Sequence, residues 1–132
     1  MTGSPNSSDD AEFIAEMRGE FLENVTAEIE ACEGCLMGFE KSGDESQITE
    51  YKRLVHSMKG GGRMVALNDF SNHVHNLEGV LTRCAQQGRL KDFVGFALPV
   101  LDQLKAYVVA MRDEGNFEAE SARLGEMISR FQ

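Results

Sequence analysis

One histidine and three cationic side chains share a face of a predicted helix near the middle of the chain. Lys52, His56, Lys59 and Arg63 follow one another at steps of four, three and four residues, a spacing that stacks side chains along one helix face. Apolar residues occupy the opposite face, so His56 should point to solvent. An exposed imidazole keeps a neutral ring nitrogen near pH 7, and that nitrogen can act as a nucleophile. Lys59 could balance the charge of an anion attached to the ring.

Directly after the lysine come three consecutive glycines, which are Gly60, Gly61 and Gly62. A glycine in a helix interior costs about 0.8–1 kcal/mol relative to alanine, so three cost about 3 kcal/mol. A helix C-cap would account for one of them but not for three. We therefore interpret the bare backbone as clearance that lets a partner approach His56, with Lys52 and Arg63 bordering the approach. The simpler alternative is a solvated surface histidine among ordinary cations.

A second pair of polar residues follows on the next predicted helix. His75 and Glu78 lie three residues apart and therefore on one face, whereas His73 points elsewhere. If the two helices are antiparallel neighbours, Glu78 could lie beside His56. A carboxylate that accepts a hydrogen bond from one ring nitrogen fixes the tautomer and leaves the other nitrogen free to attack. A solvated helix charge is the alternative interpretation of Glu78, and both stay open at this point.

The helices that carry these residues are predicted from apolar side chains spaced three or four apart. The first is expected to begin at Ser8, Asp9 or Asp10 and to reach Glu40, and its glycines Gly34 and Gly38 would bend or fray its end. The fourth spans roughly residues 90–113, where Pro99 should kink or break it. A shorter fifth helix contains Leu124, Ile128 and Phe131. The turns between the helices are K-S-G-D-E-S (41–46), L-N-D-F (67–70), Q-Q-G-R (86–89) and R-D-E-G-N (112–116).

These elements predict an all-α fold. No segment alternates with a period of two, and short turns between amphipathic helices imply antiparallel neighbours. We expect an antiparallel up-down four-helix bundle with a fifth C-terminal helix. Residues 1–8 are polar and expected to be disordered, which leaves residues 9–132 as one domain.

Composition narrows the possible functions. A net charge of −9 repels phosphate backbones, so nucleic acid is not an expected partner. No apolar run approaches the ~18 residues that a membrane span needs, and the N-terminus lacks the pattern of a secretion signal. The cysteine count of three is odd and low, which favours a reduced, cytoplasmic setting.

Two weaker patterns could indicate a metal or redox site. Cys32 and Cys35 have redox or zinc spacing, but their helical positions fit the core better. A metal site at His73, His75 and Cys84 is disfavoured because histidines two residues apart diverge on a helix. We therefore expect no metal.

Taken together, these residues resemble a known family. H-S-M-K-G-G (56–61) resembles the signature of histidine-phosphotransfer (HPt) domains, in which a lysine and a glycine follow the phosphorylated histidine at +3 and +4. S-N-H-V-H-N-L-E-G-V-L (71–81) and F-I-A-E-M-R-G-E-F-L-E-N-V (13–25) resemble the third and first helices of the phosphotransfer domain of CheA-type histidine kinases. In that family a His and a Glu lie 19 and 22 residues after the phosphorylated histidine, which are the positions of His75 and Glu78. The resemblance covers nearly the whole chain from residue 10 onward.

The resemblance implies a role for each matching residue. His56 would receive a phosphoryl group on its outer ring nitrogen, and Glu78 would accept a hydrogen bond from the inner one. Lys59 would stabilise the phosphoryl oxygens, and His75 would complete the polar cluster. The implied partners are a CheA-like ATP-binding kinase domain and the Asp of a response-regulator receiver domain. ATP and Mg²⁺ would come with those partners, so the domain would bind no cofactor, would not be catalytic alone, and would be a monomer in isolation.

Two positions depart from the family pattern. Ala66 stands where many relatives carry a second glycine, ten residues after the histidine, and Arg63 replaces a small residue. G-R-M (62–64) is similar to the CheA-like kinases of twitching-motility systems, so both chemotaxis and twitching motility stay open as pathways. The alternative function is a helical interaction or adaptor module that resembles an HPt domain but transfers no phosphate.

Overall fold

The computed structural model describes residues 7–131, and within them it contains five α-helices and no strand. The helices are α1 (Ser7–Ser42), α2 (Ser46–Met64), α3 (Asn68–Gln86), α4 (Leu90–Arg112) and α5 (Phe117–Ser129). α1 packs against α2 and α4, and α3 completes the ring by packing against the same two helices. α5 packs against α3 and α4. The predicted all-helical fold class is confirmed.

The helix limits agree closely with the predicted turns. α1 begins at Ser7, two residues before the predicted start of the domain, and residues 1–6 of the segment predicted as disordered lie outside the described residues. α1 stays helical through Gly34 and Gly38 and ends at Ser42, so its end does not fray at the glycines. Its last turn holds because Phe39 and Leu36 are buried in the core.

Pro99 lies inside a helix that is continuous from Leu90 to Arg112, so the predicted break is absent. A proline removes one helical hydrogen bond and crowds the carbonyl four residues earlier. That carbonyl belongs to Gly95, which is exposed. Among the described residues, no atom outside its own helix backbone and its chain neighbours lies within 4 Å of the place where a Cβ would lie. Water can therefore hydrate the freed carbonyl, and burial of the rest of α4 keeps the helix together.

The core is one apolar cluster to which all five helices contribute. By length and composition α4 could cross a membrane, which the sequence analysis had not anticipated. The core helix of a bundle passes the same test, and α4 is such a helix. Its buried residues are Phe93, Val94, Ala97, Val100, Leu101, Leu104, Tyr107 and Val108.

The first turns of α1 lie outside this core. Phe13 is 60% exposed and Met17 is 38% exposed, although Met17 has the helical spacing of a core residue. The first buried residue of α1 among those described is Leu22. α1 has 36 residues, whereas its neighbours α2 and α4 have 19 and 23. The neighbours are therefore too short to cover the whole apolar face of α1.

α5 is attached to the bundle by polar contacts as well as by its buried apolar residues. The Gln103 side chain on α4 donates hydrogen bonds to the Glu120 carboxylate at 2.6 Å and to the Glu120 carbonyl at 3.1 Å. His73 Nε2 on α3 lies 2.8 Å from Ser121 Oγ. Phe131, predicted within the fifth helix, follows the end of that helix and is half-buried. These contacts join α5 to both α3 and α4.

Candidate functional site

α2 presents His56 to solvent because its opposite face is buried. Tyr51, Val55 and Met58 lie in the core at helical spacing. The side chain of His56 is 77% exposed, so the predicted orientation of the imidazole is confirmed. A second protein can therefore reach this ring without any movement of the bundle.

Beside His56, an ion pair joins α2 to α3. Lys59 Nζ lies 2.6 Å from Glu78 Oε1, and the two side chains are 14% and 25% exposed. Most of the lysine stem is therefore covered, and its ammonium group is held at the edge of the site. Partial burial makes this pair stronger than a fully exposed one, because the surrounding dielectric screens it less.

The Glu78 carboxylate lies between the two histidines of the predicted cluster. His56 Nδ1 is 3.9 Å from Oε2, and His75 Nδ1 is 4.0 Å from Oε1. Both distances are too long for a hydrogen bond. The predicted hydrogen bond between His56 and Glu78 is therefore absent in this structure, where the carboxylate makes its close contact with Lys59 instead. The structure thus brings the four predicted residues together, and their chemical roles stay predictions.

The three glycines do not share one role, which corrects the prediction that all three give access to a partner. α2 is helical through all of them. A Cβ at Gly61 would lie 2.8 Å from the Phe21 ring of α1, and one at Gly62 would lie 2.5 Å from the Ser71 hydroxyl of α3. Within residues 7–131, no atom outside its own helix backbone and its chain neighbours lies within 4 Å of the Cβ position of Gly60. Gly61 and Gly62 therefore let the neighbouring helices approach α2, and Gly60 alone leaves open space.

Sequence reasoning missed Ser71, which is a buried polar residue in the interface between α2 and α3. Its hydroxyl donates a hydrogen bond to the backbone carbonyl of Lys59 at 2.9 Å. A small polar residue at helical spacing from Val74 and Glu78 was the available signal. Spacing alone could not show that the residue faces the backbone of α2.

Comparison with known proteins identifies the family. The family model described as the Hpt domain matches residues 16–114, a range that contains all of α2, α3 and α4 and most of α1. The chain belongs to the Hpt domain family. The matched range includes His56, Lys59, His75 and Glu78, so the predicted resemblance is confirmed.

A relative of this Hpt domain is the sensor histidine kinase CheAY of Helicobacter pylori. The two are 34% identical over 67 aligned residues, and the match covers 48% of this chain and 8% of the relative. The chain therefore spans a small part of the length of the curated relative that it matches. No solved structure matches the chain significantly. This is the Hpt domain of a two-component phosphorelay, with a homologue among CheA-type kinases.

A groove of about 290 Å³ lies beside His56 on the surface of the Hpt domain. Lys52 and Val55 of α2 line one side, and Leu81 and Thr82 of α3 line the other. Lys52 and Arg63 are both exposed, and neither forms an ion pair within residues 7–131. Their positive charge is therefore available to an acidic partner surface.

The third histidine of the Hpt domain belongs to a different part of the fold. His73 faces α5, where it contacts Ser121 and meets the Tyr107 ring edge to face with 5.9 Å between centroids. Burial lowers the pKa of His73, and the nearby Asp69 carboxylate opposes that shift in part. His73 is thus a helix-packing residue and takes no part in the cluster around Glu78.

The cysteines are free and buried. Burial, followed by the neighbouring Cys35 and acidic side chains, raises the pKa of the Cys32 thiol to about 12. Burial also raises the pKa of Cys35 and Cys84. A thiol that stays protonated is a poor nucleophile and a poor metal ligand. The part of the chain that the structure describes holds no group of three or more His, Cys, Asp and Glu side chains arranged for a metal ion.

Proposed function

We propose that this Hpt domain receives a phosphoryl group on His56 from a CheA-like kinase domain and passes it to an Asp of a response-regulator receiver domain. The orientation of the imidazole carries the proposal. Nδ1 faces the Glu78 carboxylate at 3.9 Å while the side chain is 77% exposed. The outer nitrogen, Nε2, is therefore the one that a phosphoryl donor can reach.

In the first transfer, the lone pair of His56 Nε2 attacks the γ-phosphorus of ATP. An N–P bond forms and the P–O bond to ADP breaks. Nδ1 keeps its proton, so the phosphorylated ring gains positive charge that the Glu78 carboxylate stabilises. In the second transfer, a carboxylate oxygen of the receiver Asp attacks the same phosphorus, and the N–P bond breaks. The neutral imidazole is then restored.

Lys59 would exchange partners during this cycle. Its ammonium group pairs with Glu78 Oε1 at 2.6 Å before transfer. A phosphoryl group on His56 brings new anionic oxygens to the exposed side of the ring, and the flexible lysine stem can turn toward them. Glu78 would then be free to accept a hydrogen bond from Nδ1, and His75 would complete the polar cluster around it.

The partners would supply the remaining chemistry. ATP and Mg²⁺ belong in this proposal to the kinase and receiver domains, so the Hpt domain binds no cofactor and is not catalytic alone. We also propose that residues 9–132 form the domain and that it is cytoplasmic and a monomer in isolation. Lys52, Gly60 and Arg63 would border the surface that both partners approach, since each is exposed on α2.

The finer arrangement that we propose for α1 to α4 is an antiparallel up-down bundle. Contacts between α2 and α3 support it: Lys59 meets Ser71, whereas the earlier residue His56 faces the later residue Glu78. Contacts between α1 and α2 follow the same trend, because Gly38 lies near Gln47 and Phe21 lies near Gly61.

Phosphorylation in vitro tests the proposal. The domain is incubated with a CheA-type kinase domain, Mg²⁺ and ATP labelled at the γ-phosphate, and the label is tested for stability in acid and alkali. We expect an acid-labile, alkali-stable label on the wild type and none on His56→Gln. His75→Gln is a matched control, since it removes an exposed imidazole of the same cluster but should keep the label.

Two results would count against the proposal. No label on the wild type with an active cognate kinase domain would favour the alternative function, a helical adaptor that binds without transfer. The ion pair between Lys59 and Glu78 gives that alternative some support, because it draws the carboxylate away from His56. A label that survives in His56→Gln would show that the site is elsewhere.

A further inference from the structure

We propose that Ser71 is a positioning residue: together with Gly62 it sets the axial register of α3 against α2, and this register places Glu78 beside His56. The inference rests on the proposed phosphotransfer at His56. It concerns two buried residues, and it explains why glycine is needed at a buried position of α2.

The first argument is the hydrogen bond between the two helices. Ser71 Oγ donates to the carbonyl oxygen of Lys59 at 2.9 Å, and the serine is fully buried. Because the acceptor is a backbone atom, the contact fixes the segment of α2 from which the Lys59 side chain starts. Burial keeps water from replacing the hydroxyl, so breaking the contact leaves a polar group unpaired in the core.

The second argument is steric. A Cβ at Gly62 would lie 2.5 Å from Ser71 Oγ and 2.8 Å from the Phe70 ring. The two helices are therefore in contact at this point, with no space for a side chain between them. Sliding α3 along α2 by one residue, about 1.5 Å, would break the hydrogen bond, and the Phe70 ring leaves little room for such a slide.

The third argument connects this contact to the site. Ser71 and Glu78 lie on the face of α3 that meets α2, seven residues or about 10.5 Å apart along the axis. Glu78 reaches Lys59 at 2.6 Å and comes within 3.9 Å of His56 Nδ1. A hydrogen bond to the imidazole needs a further approach of about 1 Å. A slide of one residue exceeds that margin, so the register decides whether Glu78 can act on His56.

The test compares Ser71→Ala with Ser121→Ala. Ser121 on α5 is a matched control, because its hydroxyl also makes a contact between helices. It contacts His73 Nε2 and so joins α3 to α5 rather than to α2. Phosphorylation by the kinase domain is measured over a range of Hpt concentrations, and folding is followed by circular dichroism. We expect Ser71→Ala to lower kcat about 10- to 100-fold, since a misplacement of 1 Å can cost about 100-fold, with KM unchanged. Ser121→Ala should keep both values.

A double-mutant cycle shows whether Ser71 acts through Glu78. In a Glu78→Gln background, Ser71→Ala should cause no further loss of kcat, because the residue that it positions has already been changed. An unchanged kcat in Ser71→Ala, or the same additional loss in the Glu78→Gln background, would overturn the inference. If Ser71→Ala does not fold, Ser71→Cys keeps a similar volume with a weaker donor and takes the same test.

A measurement on the unphosphorylated protein separates this inference from the proposed function. Nuclear Overhauser contacts between the Lys59 and Glu78 side chains should weaken in Ser71→Ala and persist in Ser121→Ala. If the wild type accepts no phosphate, the proposed function fails while this comparison still reports on the register. Contacts of equal strength in all three proteins would overturn the positioning role.

Discussion

Alanine at Gly60 and at Gly62 should have opposite effects on stability, although both residues lie in the same helix. In each variant α2 gains about 0.8–1 kcal/mol of helix propensity. Apart from the backbone of its own helix and its chain neighbours, the new methyl group at position 60 meets no atom of residues 7–131 within 4 Å. The one at position 62 would lie 2.5 Å from Ser71 Oγ and 2.8 Å from the Phe70 ring. Both neighbours are fully buried, so neither can move aside easily.

The magnitude follows from these contacts. Overpacking of a core costs about 1–3 kcal/mol, and displacing Ser71 from its hydrogen bond adds about 1 kcal/mol. The helix propensity gain is common to both variants, so their difference isolates the steric term. We expect Gly62→Ala to unfold with a free energy about 2–4 kcal/mol lower than that of Gly60→Ala. Gly60→Ala itself should be more stable than the wild type.

Urea denaturation followed by circular dichroism measures both free energies of unfolding. Equal stability of the two alanine variants would refute the reasoning, because it would show that the helices are not in contact at Gly62. Gly61→Ala provides an intermediate case. Its Cβ would meet the edge of the Phe21 ring at 2.8 Å, and Phe21 is only partly buried, so the ring can shift at lower cost.

Three further predictions concern other residues. Glu78→Ala should slow phosphorylation of His56 without unfolding the bundle, since the carboxylate lies at the partly exposed edge of the site; an unchanged rate with a folded variant would remove its role. Because burial lowers the pKa of His73, protonation favours the unfolded state, so stability should fall as pH drops below about 6.5. Between pH 7 and 5, the urea midpoint of His73→Gln should fall less than that of the wild type. An equal fall in both proteins would contradict this. Tyr51→Phe should be neutral or stabilising, because the buried hydroxyl finds no hydrogen-bond partner among the described residues. An unpaired buried hydroxyl costs about 1–3 kcal/mol. A clear loss of stability in the same urea assay would show that the hydroxyl is paired.

The helical fold could be predicted from the sequence because its apolar residues repeat at the period of a helix. The same pattern could not show which part of a helix has no other helix packed against it. Met17 has the spacing of a core residue, yet it is exposed, since within residues 7–131 no helix of matching length lies beside the start of α1. Pro99 was expected to kink or break α4, but the proline is exposed and the burial of its neighbours keeps the helix continuous.

Residue spacing also placed Glu78 near His56 once the two helices were assumed to be neighbours. Spacing could not predict which cation the carboxylate would contact most closely, because that depends on side-chain rotamers. Lys59 makes the close contact. The glycines show the same limit. Their number indicated that a bare backbone was required. Only the positions of Phe21 and Ser71 show that Gly61 and Gly62 are needed for helix packing.

Transfer of a phosphoryl group through His56 is the central claim, and a two-step labelling experiment tests it most directly. The domain is phosphorylated by a CheA-type kinase domain, purified, and mixed with a receiver domain and Mg²⁺, and the label on each protein is followed with time. We predict that label leaves the Hpt domain and appears on the receiver Asp, and that His56→Gln neither accepts nor passes any. Label that never forms on the wild type, or that forms and does not move to a cognate receiver, would contradict the account.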